Sequence, residues 1–266
     1  MKSITNSFLL LMGLLALGCQ TKNVADAEPT PTRQYYELKT YTLATDQQVD
    51  ATDQYLRDAY LPALKRLGIA NIGVFKPRPS ESDSIRKIIV LLPLESVDQL
   101  LTITDQLAED SVFLTAGSDY INASHDNPPY ERISTVLLRA FTEMPAMQTP
   151  KLTGARADRV YELRSYESAT EKIYWNKVDM FNAGGEVSLF EKLEFNAVFY
   201  GEVISGDKMP NLMYMTTFSD RQSRDAHWKS FGESPEWNAL KVMPKYANNV
   251  SHSDIYFLYP TEYSDY

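Results

Sequence analysis

A six-residue string occurs twice, YELKTY at Tyr36 to Tyr41 and YELRSY at Tyr161 to Tyr166, with the same displacement at both ends. Such self-similarity restricts the fold to plans in which two copies of one unit are set against each other. The segments downstream of the two strings are alike as well. Thr45 with Gln48, and Ser168 with Glu171, have the spacing of a helix capping box. Helical stripes come next, through Tyr55, Leu56, Ala59, Tyr60, Ala63, Leu64 and Leu67 in the first copy. In the second the stripe is Ile173, Val178, Phe181, Leu189, Phe190 and Leu193. Pro62 predicts a bend near residues 58–62, and Gly184-Gly185 an interruption of the second helix.

Each copy continues with two strand-like runs, Ile69 to Phe75 with Ile88 to Leu92, and Asn196 to Ile204 with Leu212 to Phe218. A second helix is expected near Val97 to Leu107 and Arg221 to Phe231, and a closing strand near Arg132 to Arg139 and Asp254 to Leu258. Strand, helix, strand, strand, helix, strand is the ferredoxin-like plan, whose sheet has helices on one face only. Two such halves can cover each other's bare faces. The expected fold is therefore α+β: two ferredoxin-like βαββαβ repeats forming a pseudo-dimeric α/β barrel. The repeats are expected over residues 34–145 and 159–266, joined by a linker at 146–158.

The N-terminus reads as an address. Lys2 precedes an uncharged apolar run from Phe8 to Leu17, too short to span a bilayer as a helix. The adjoining Ala16-Leu17-Gly18-Cys19 resembles a bacterial lipobox. That resemblance implies removal of residues 1–18 as a signal peptide, lipidation of Cys19, and a flexible tether over 19–33 that contains Pro29 and Pro31. The expected location is the bacterial cell envelope, on the periplasmic side, with the membrane as partner through the lipid. Cys19 is the one cysteine in the chain, so no intramolecular disulfide and no multi-cysteine zinc site can form.

With Lys+Arg 26 against Asp+Glu 35 the formal charge is -9, and no basic run exceeds a pair; a nucleic acid partner is not expected. His125, His227 and His252 have no metal-ligand spacing, so no metal site is expected. Haem would have to use His227 beside Trp228, a lone histidine without a supporting pattern, and no cofactor is expected.

YELRSYES (Tyr161 to Ser168), KVDMFNAGGE (Lys177 to Glu186), VFYGE (Val198 to Glu202), MPNLMYM (Met209 to Met215) and SPEW (Ser234 to Trp237) resemble NIPSNAP-domain proteins. In the first half YELKTY, ASHDNPPYERI (Ala123 to Ile133) and LLRAFTEMP (Leu137 to Pro145) carry the same resemblance. It implies a tandem of NIPSNAP domains and a dimeric α/β-barrel fold, and it implies little about chemistry.

Alternation along a strand puts Tyr161, Leu163 and Ser165 on one face and Glu162, Arg164 and Tyr166 on the other. In the first copy Glu37, Lys39 and Tyr41 share the corresponding face. The less polar face is expected to meet the helices, which would turn the acid, base and phenol of each copy into the enclosed chamber. There they would form structural ion pairs, or orient a small amphipathic ligand with Arg164 on an anionic group. Asn182 and Glu186, at the interrupted helix, complete the candidate ligand-binding set, with Glu186 aimed inward; Lys177 reads as solvated helix surface. Three functions fit: a membrane-tethered binding or accessory protein, a monooxygenase (cofactor-independent or haem-using) by analogy of fold, and a structural interaction module. No catalytic residue is assigned.

Overall fold

The computed structural model describes residues 32–78 and 86–266. The expected signal peptide, Cys19 and residues 20–31 of the expected tether lie outside them. No helix among the described residues is long and apolar enough to cross a membrane.

The first half runs β1 (Tyr35–Leu43), α1 (Asp46–Tyr55), a π-helical turn (Leu56–Tyr60), α2 (Leu61–Arg66), β2 (Gly73–Pro77), β3 (Arg86–Leu94), α3 (Val97–Glu109), α4 (Ser111–Ala116), α5 (Ser118–Ile121) and β4 (Arg132–Ala140). The second half runs β5 (Val160–Glu167), α6 (Glu171–Phe181), α7 (Glu186–Lys192), β6 (Phe199–Ser205), β7 (Asn211–Phe218), α8 (Arg221–Glu233), α9 (Pro235–Leu240), a 3-10 turn (Pro244–Tyr246) and β8 (His252–Pro260). Every expected strand and helix is present, with ends shifted by a few residues. The bend expected near Pro62 is a π-helical turn just before it, which absorbs the hydrogen bond that a proline cannot donate.

The Thr45 cap is as expected, its hydroxyl accepting from the Gln48 N–H. The Ser168–Glu171 box does not form. Thr170 caps α6 instead, and the Ser168 hydroxyl donates to the Asn249 carbonyl, so a tertiary contact takes the residue that local spacing had assigned to the helix. Gly184-Gly185 does interrupt the second helix. Gly185 takes a positive φ of 87°, and a Cβ on Gly184 would lie 2.5 Å from the Met180 carbonyl oxygen, so both positions require glycine.

The strands close into one antiparallel barrel in the cyclic order β1-β3-β2-β8-β5-β7-β6-β4. Replacing each strand by its counterpart in the other half leaves that order unchanged. The halves join where Phe75 to Pro77 pair with Leu258 to Pro260, and where β4 pairs with β6. Tyr36, Leu38, Phe75, Leu91, Tyr161, Leu163, Phe199 and Met215, drawn from both halves, fill the lumen. Two larger cores lie outside the barrel, besides a small cluster of Met180, Leu240 and Tyr246. One sits between the first-half strands and α2 to α4, the other between the second-half strands and α6 to α8.

This arrangement overturns the expected orientation of the strands. Tyr161, Leu163 and Ser165 face the lumen, whereas Glu162, Arg164 and Tyr166 lie under the helices, as do Glu37, Lys39 and Tyr41. An eight-stranded lumen is only wide enough for packed side chains and offers few partners to a charge. The sheet–helix layer has helix-borne guanidinium, indole and phenol groups to offer, so the polar residues of the motif go there.

Candidate functional site

In the second half the motif is sealed. Glu162 is fully buried and accepts from Arg164 Nε at 2.8 Å, Arg224 Nε at 2.7 Å and Nη2 at 2.9 Å, and Trp228 Nε1 at 2.9 Å, as well as from Arg164 Nη2. Arg164 also donates to the Tyr166 hydroxyl at 2.7 Å, which bonds the Tyr214 hydroxyl at 2.9 Å. The Arg164 guanidinium lies 3.7 Å from the Trp228 ring centre. Burial alone would raise the Glu162 pKa, but the hydrogen bond from Arg224 and the charge of Arg164 outweigh it and hold the carboxyl below its ordinary value. Every carboxylate lone pair is used, and this site has nothing left to give a ligand.

The other second-half candidates are equally engaged. Glu186 is buried and bonds Lys177 Nζ at 2.9 Å. Lys177 is buried too, contrary to its reading as solvated surface, because its ammonium turns under α6 onto Glu186 and the Phe181 ring. Asn182 Oδ1 accepts from the Thr142 hydroxyl and the Glu143 N–H, tying the end of α6 to the loop after β4.

The first half differs at two positions. Leu100 and Thr104 stand four and eight residues after the N-cap Ser96 of α3, and Arg224 and Trp228 stand four and eight after the N-cap Asp220 of α8. The guanidinium and indole that close the second site are thus an isobutyl group and a small hydroxyl in the first. A cleft of about 460 Å³ opens there, lined by Glu37, Lys39, Tyr60, Leu100, Thr104, Phe113 and neighbouring apolar residues. Glu37 is buried and only its Oε1 is engaged, 3.5 Å from Lys39 Nζ; its Oε2 has no hydrogen-bond partner. A buried carboxylate oxygen without a donor costs free energy unless something supplies one.

Lys39 Nζ donates to the Tyr60 hydroxyl at 3.0 Å. Beyond them lies a second cleft of about 640 Å³, walled by Tyr41, Tyr55, Tyr60, Tyr120 and Tyr130. Tyr55 stacks on Tyr120 with ring centres 3.9 Å apart. Burial pushes the phenols of Tyr41, Tyr55 and Tyr120 upward. Burial opposes the charge of Lys39, yet Tyr60 and Glu37 outweigh it and raise its pKa, so Lys39 is an ammonium at neutral pH. The phenols of Tyr41, Tyr55 and Tyr120, the Lys39 ammonium and a half-engaged carboxylate form a recognition set. Tyr60, Leu100 and Thr104 were not foreseen from sequence. Aligning the two helices on their caps would have found the last two.

Two other clusters lie apart from this cleft. His227 Nδ1 lies 2.6 Å from the Ser223 carbonyl oxygen. Its ring lines a surface cleft with Phe190, Tyr200 and Phe218. Strand pairing sets Glu167 opposite His252, and with Asp254 they could offer three metal-ligand atoms, a juxtaposition the sequence spacing hid. Lys208 already supplies a cation there, bonded to Asp254.

The closed antiparallel barrel with helices outside it is a fold of the dimeric α/β-barrel type. A protein of Fusobacterium nucleatum provisionally described as a monooxygenase shares it with a TM-score of 0.54 at 9% identity, over 86% of this chain and 93% of that one. A similarly described protein of Lactobacillus acidophilus matches with a TM-score of 0.53 at 10% identity, over 86% and 94%. At these identities the likeness is one of fold. In sequence, residues 161–265 of the second half match the NIPSNAP family model. No curated protein matches the chain in sequence.

Proposed function

We propose that this is a binding protein whose first-half cleft takes a small aromatic amphipath through the free oxygen of Glu37. The observation that carries this reading is the unpartnered, buried Glu37 Oε2 beside the space that Arg224 and Trp228 fill in the other half. The Trp228 indole describes the ligand that the space lacks: a flat apolar body with an N–H or O–H donor at its edge. Leu114 and Ile121, both exposed, line the cleft and offer such a body an apolar approach.

A fluorescent probe of that shape is N-phenylnaphthylamine, apolar and with one N–H. Its emission is expected to rise saturably with the protein. Glu37→Gln, which removes the charge of the acceptor, is expected to weaken binding about tenfold. Equal affinity in the variant, or no saturable signal, defeats the proposal.

The rest of the functional reading is proposed on sequence and fold. Each half is taken as a ferredoxin-like repeat, the pair as a pseudo-dimer, and Cys19 as the lipid-bearing residue that holds the body at the bacterial cell envelope, facing the periplasm. Cys19→Ala is expected to move the protein from the membrane to the soluble fraction; unchanged fractionation would refute the anchor. The descriptions of the two fold relatives support a second reading, a monooxygenase acting on the molecule held in the cleft. It predicts oxygen consumption with a bound phenol that is its own reductant, one oxygen atom entering the ring to give a quinone and the other leaving as water, and Lys39 and the tyrosines then serve to position the substrate.

A further inference from the structure

The barrel lumen is packed through most of its length but opens at one end into a pocket of about 260 Å³. Its floor is apolar, made by Leu38, Ile89, Leu163, Val203 and Met213. Its rim is polar: Asp207, Lys208 and Asp254 line it, the last two paired with each other, and the two sides away from that pair differ in chemistry. On one side Thr40 is directly opposite Ser134 across the β1–β4 pair, and Lys87 is on the neighbouring strand β3, diagonal to Thr40. Among the described residues the ion pairs at this pocket are made by Lys208, with Asp254 and Glu167, and none includes Lys87, whose ammonium lies 5.6 Å from the Tyr256 ring centre. One cation flanked by two hydroxyls is the donor set that a carboxylate needs.

On the other side, Asn211 on β7 and Ser165 on β5 are both buried and both line the pocket. Asn211 Nδ2 donates to Ser165 Oγ at 3.0 Å, and Asn211 Oδ1 has no partner. An amide has donors on one end and an acceptor on the other, so either way it is turned one of its polar atoms goes unused. A hydroxyl on a ligand, able both to give and to accept, satisfies either orientation.

We infer that the open end of the lumen is a second binding site, for a small hydroxylated carboxylate lying across the apolar floor with its anion on Lys87 and its hydroxyl on Asn211. The site shares no residue with the Glu37 cleft and does not depend on it. It is built by strands from both halves, so it exists only because the barrel closes.

4-Hydroxyphenylacetate has this form, and phenylacetate lacks only its hydroxyl. Calorimetric titration of the intact protein with 4-hydroxyphenylacetate is expected to show saturable binding, weakened at least about tenfold by Lys87→Met. Phenylacetate is expected to bind more weakly than the hydroxylated acid to the parent protein. Asn211→Leu should remove that difference, and circular dichroism of each variant checks that the barrel is intact. Should Asn211→Leu fail to fold, Val203→Phe, which fills the floor while leaving every polar group in place, is expected to abolish binding. Absence of saturable heat with the parent protein overturns the inference, and so does affinity unchanged in Lys87→Met or Val203→Phe. Loss of binding on blocking the Glu37 cleft with Thr104→Trp, with Lys87→Met unaffected, would place the acid in the cleft and also refute the lumen site.

Discussion

Glu162→Ala is expected to destabilise the protein by about 3–5 kcal/mol, the usual cost of breaking a buried ion pair from one side. The carboxylate is fully buried and holds Arg164, Arg224 and Trp228 together. Removing it leaves two guanidinium groups facing each other in the sheet–helix layer, with Tyr166 as the remaining hydrogen-bond partner of Arg164 inside it. Chemical denaturation at neutral pH measures the loss.

The same group predicts a pH dependence. Its folded pKa is held below the ordinary glutamate value of 4.5, so its stabilising contribution is complete above that value and disappears as pH falls through the lowered folded value. Stability of the parent protein is expected to decline through that acid window. In Glu162→Gln the part of the decline due to this group is expected to be missing. Parallel acid profiles in the two proteins would show that Glu162 is not the titrating group.

The second large effect concerns the open half. Giving α3 the two residues of α8, Leu100→Arg with Thr104→Trp, is expected to close the 460 Å³ cleft by offering Glu37 a guanidinium and an indole N–H. Each hydrogen bond to a charged group contributes about 1.5–3 kcal/mol, enough to offset much of the strain of two larger side chains. Binding of N-phenylnaphthylamine is expected to fall by about a hundredfold, since both the volume and the acceptor are taken. Retained binding in a folded double variant would mean that the probe sits elsewhere, and the cleft would lose its assigned role. Thermal unfolding of the same variant provides the control for folding.

Local pattern was enough for much of this molecule. The repeated YEL strings, the capping threonine at Thr45, the glycine pair before Glu186 and the run of strands after each helix are chain-neighbour properties. They depend on backbone geometry over a few residues, and the structure adheres to them closely. The pairing of Glu162 with Arg164 was equally visible, because residues two apart on a strand share a face.

What strand alternation does not contain is which face turns inward. It separates Tyr161, Leu163 and Ser165 from Glu162, Arg164 and Tyr166 without saying where each set goes. The choice was made by the partners that each environment could supply: apolar walls from seven other strands in the lumen, and Arg224 and Trp228 from a helix more than fifty residues away in the layer outside. The open cleft at Glu37 and the Lys87–Asn211 rim arise the same way, from Leu100 and Thr104 failing to supply such partners and from two half-barrels meeting edge to edge. Sequence settled the elements and their order, because those obey short-range sterics and hydrogen bonding. Tertiary structure settled the sites, because a buried charge is satisfied or left open by groups that only folding brings within reach.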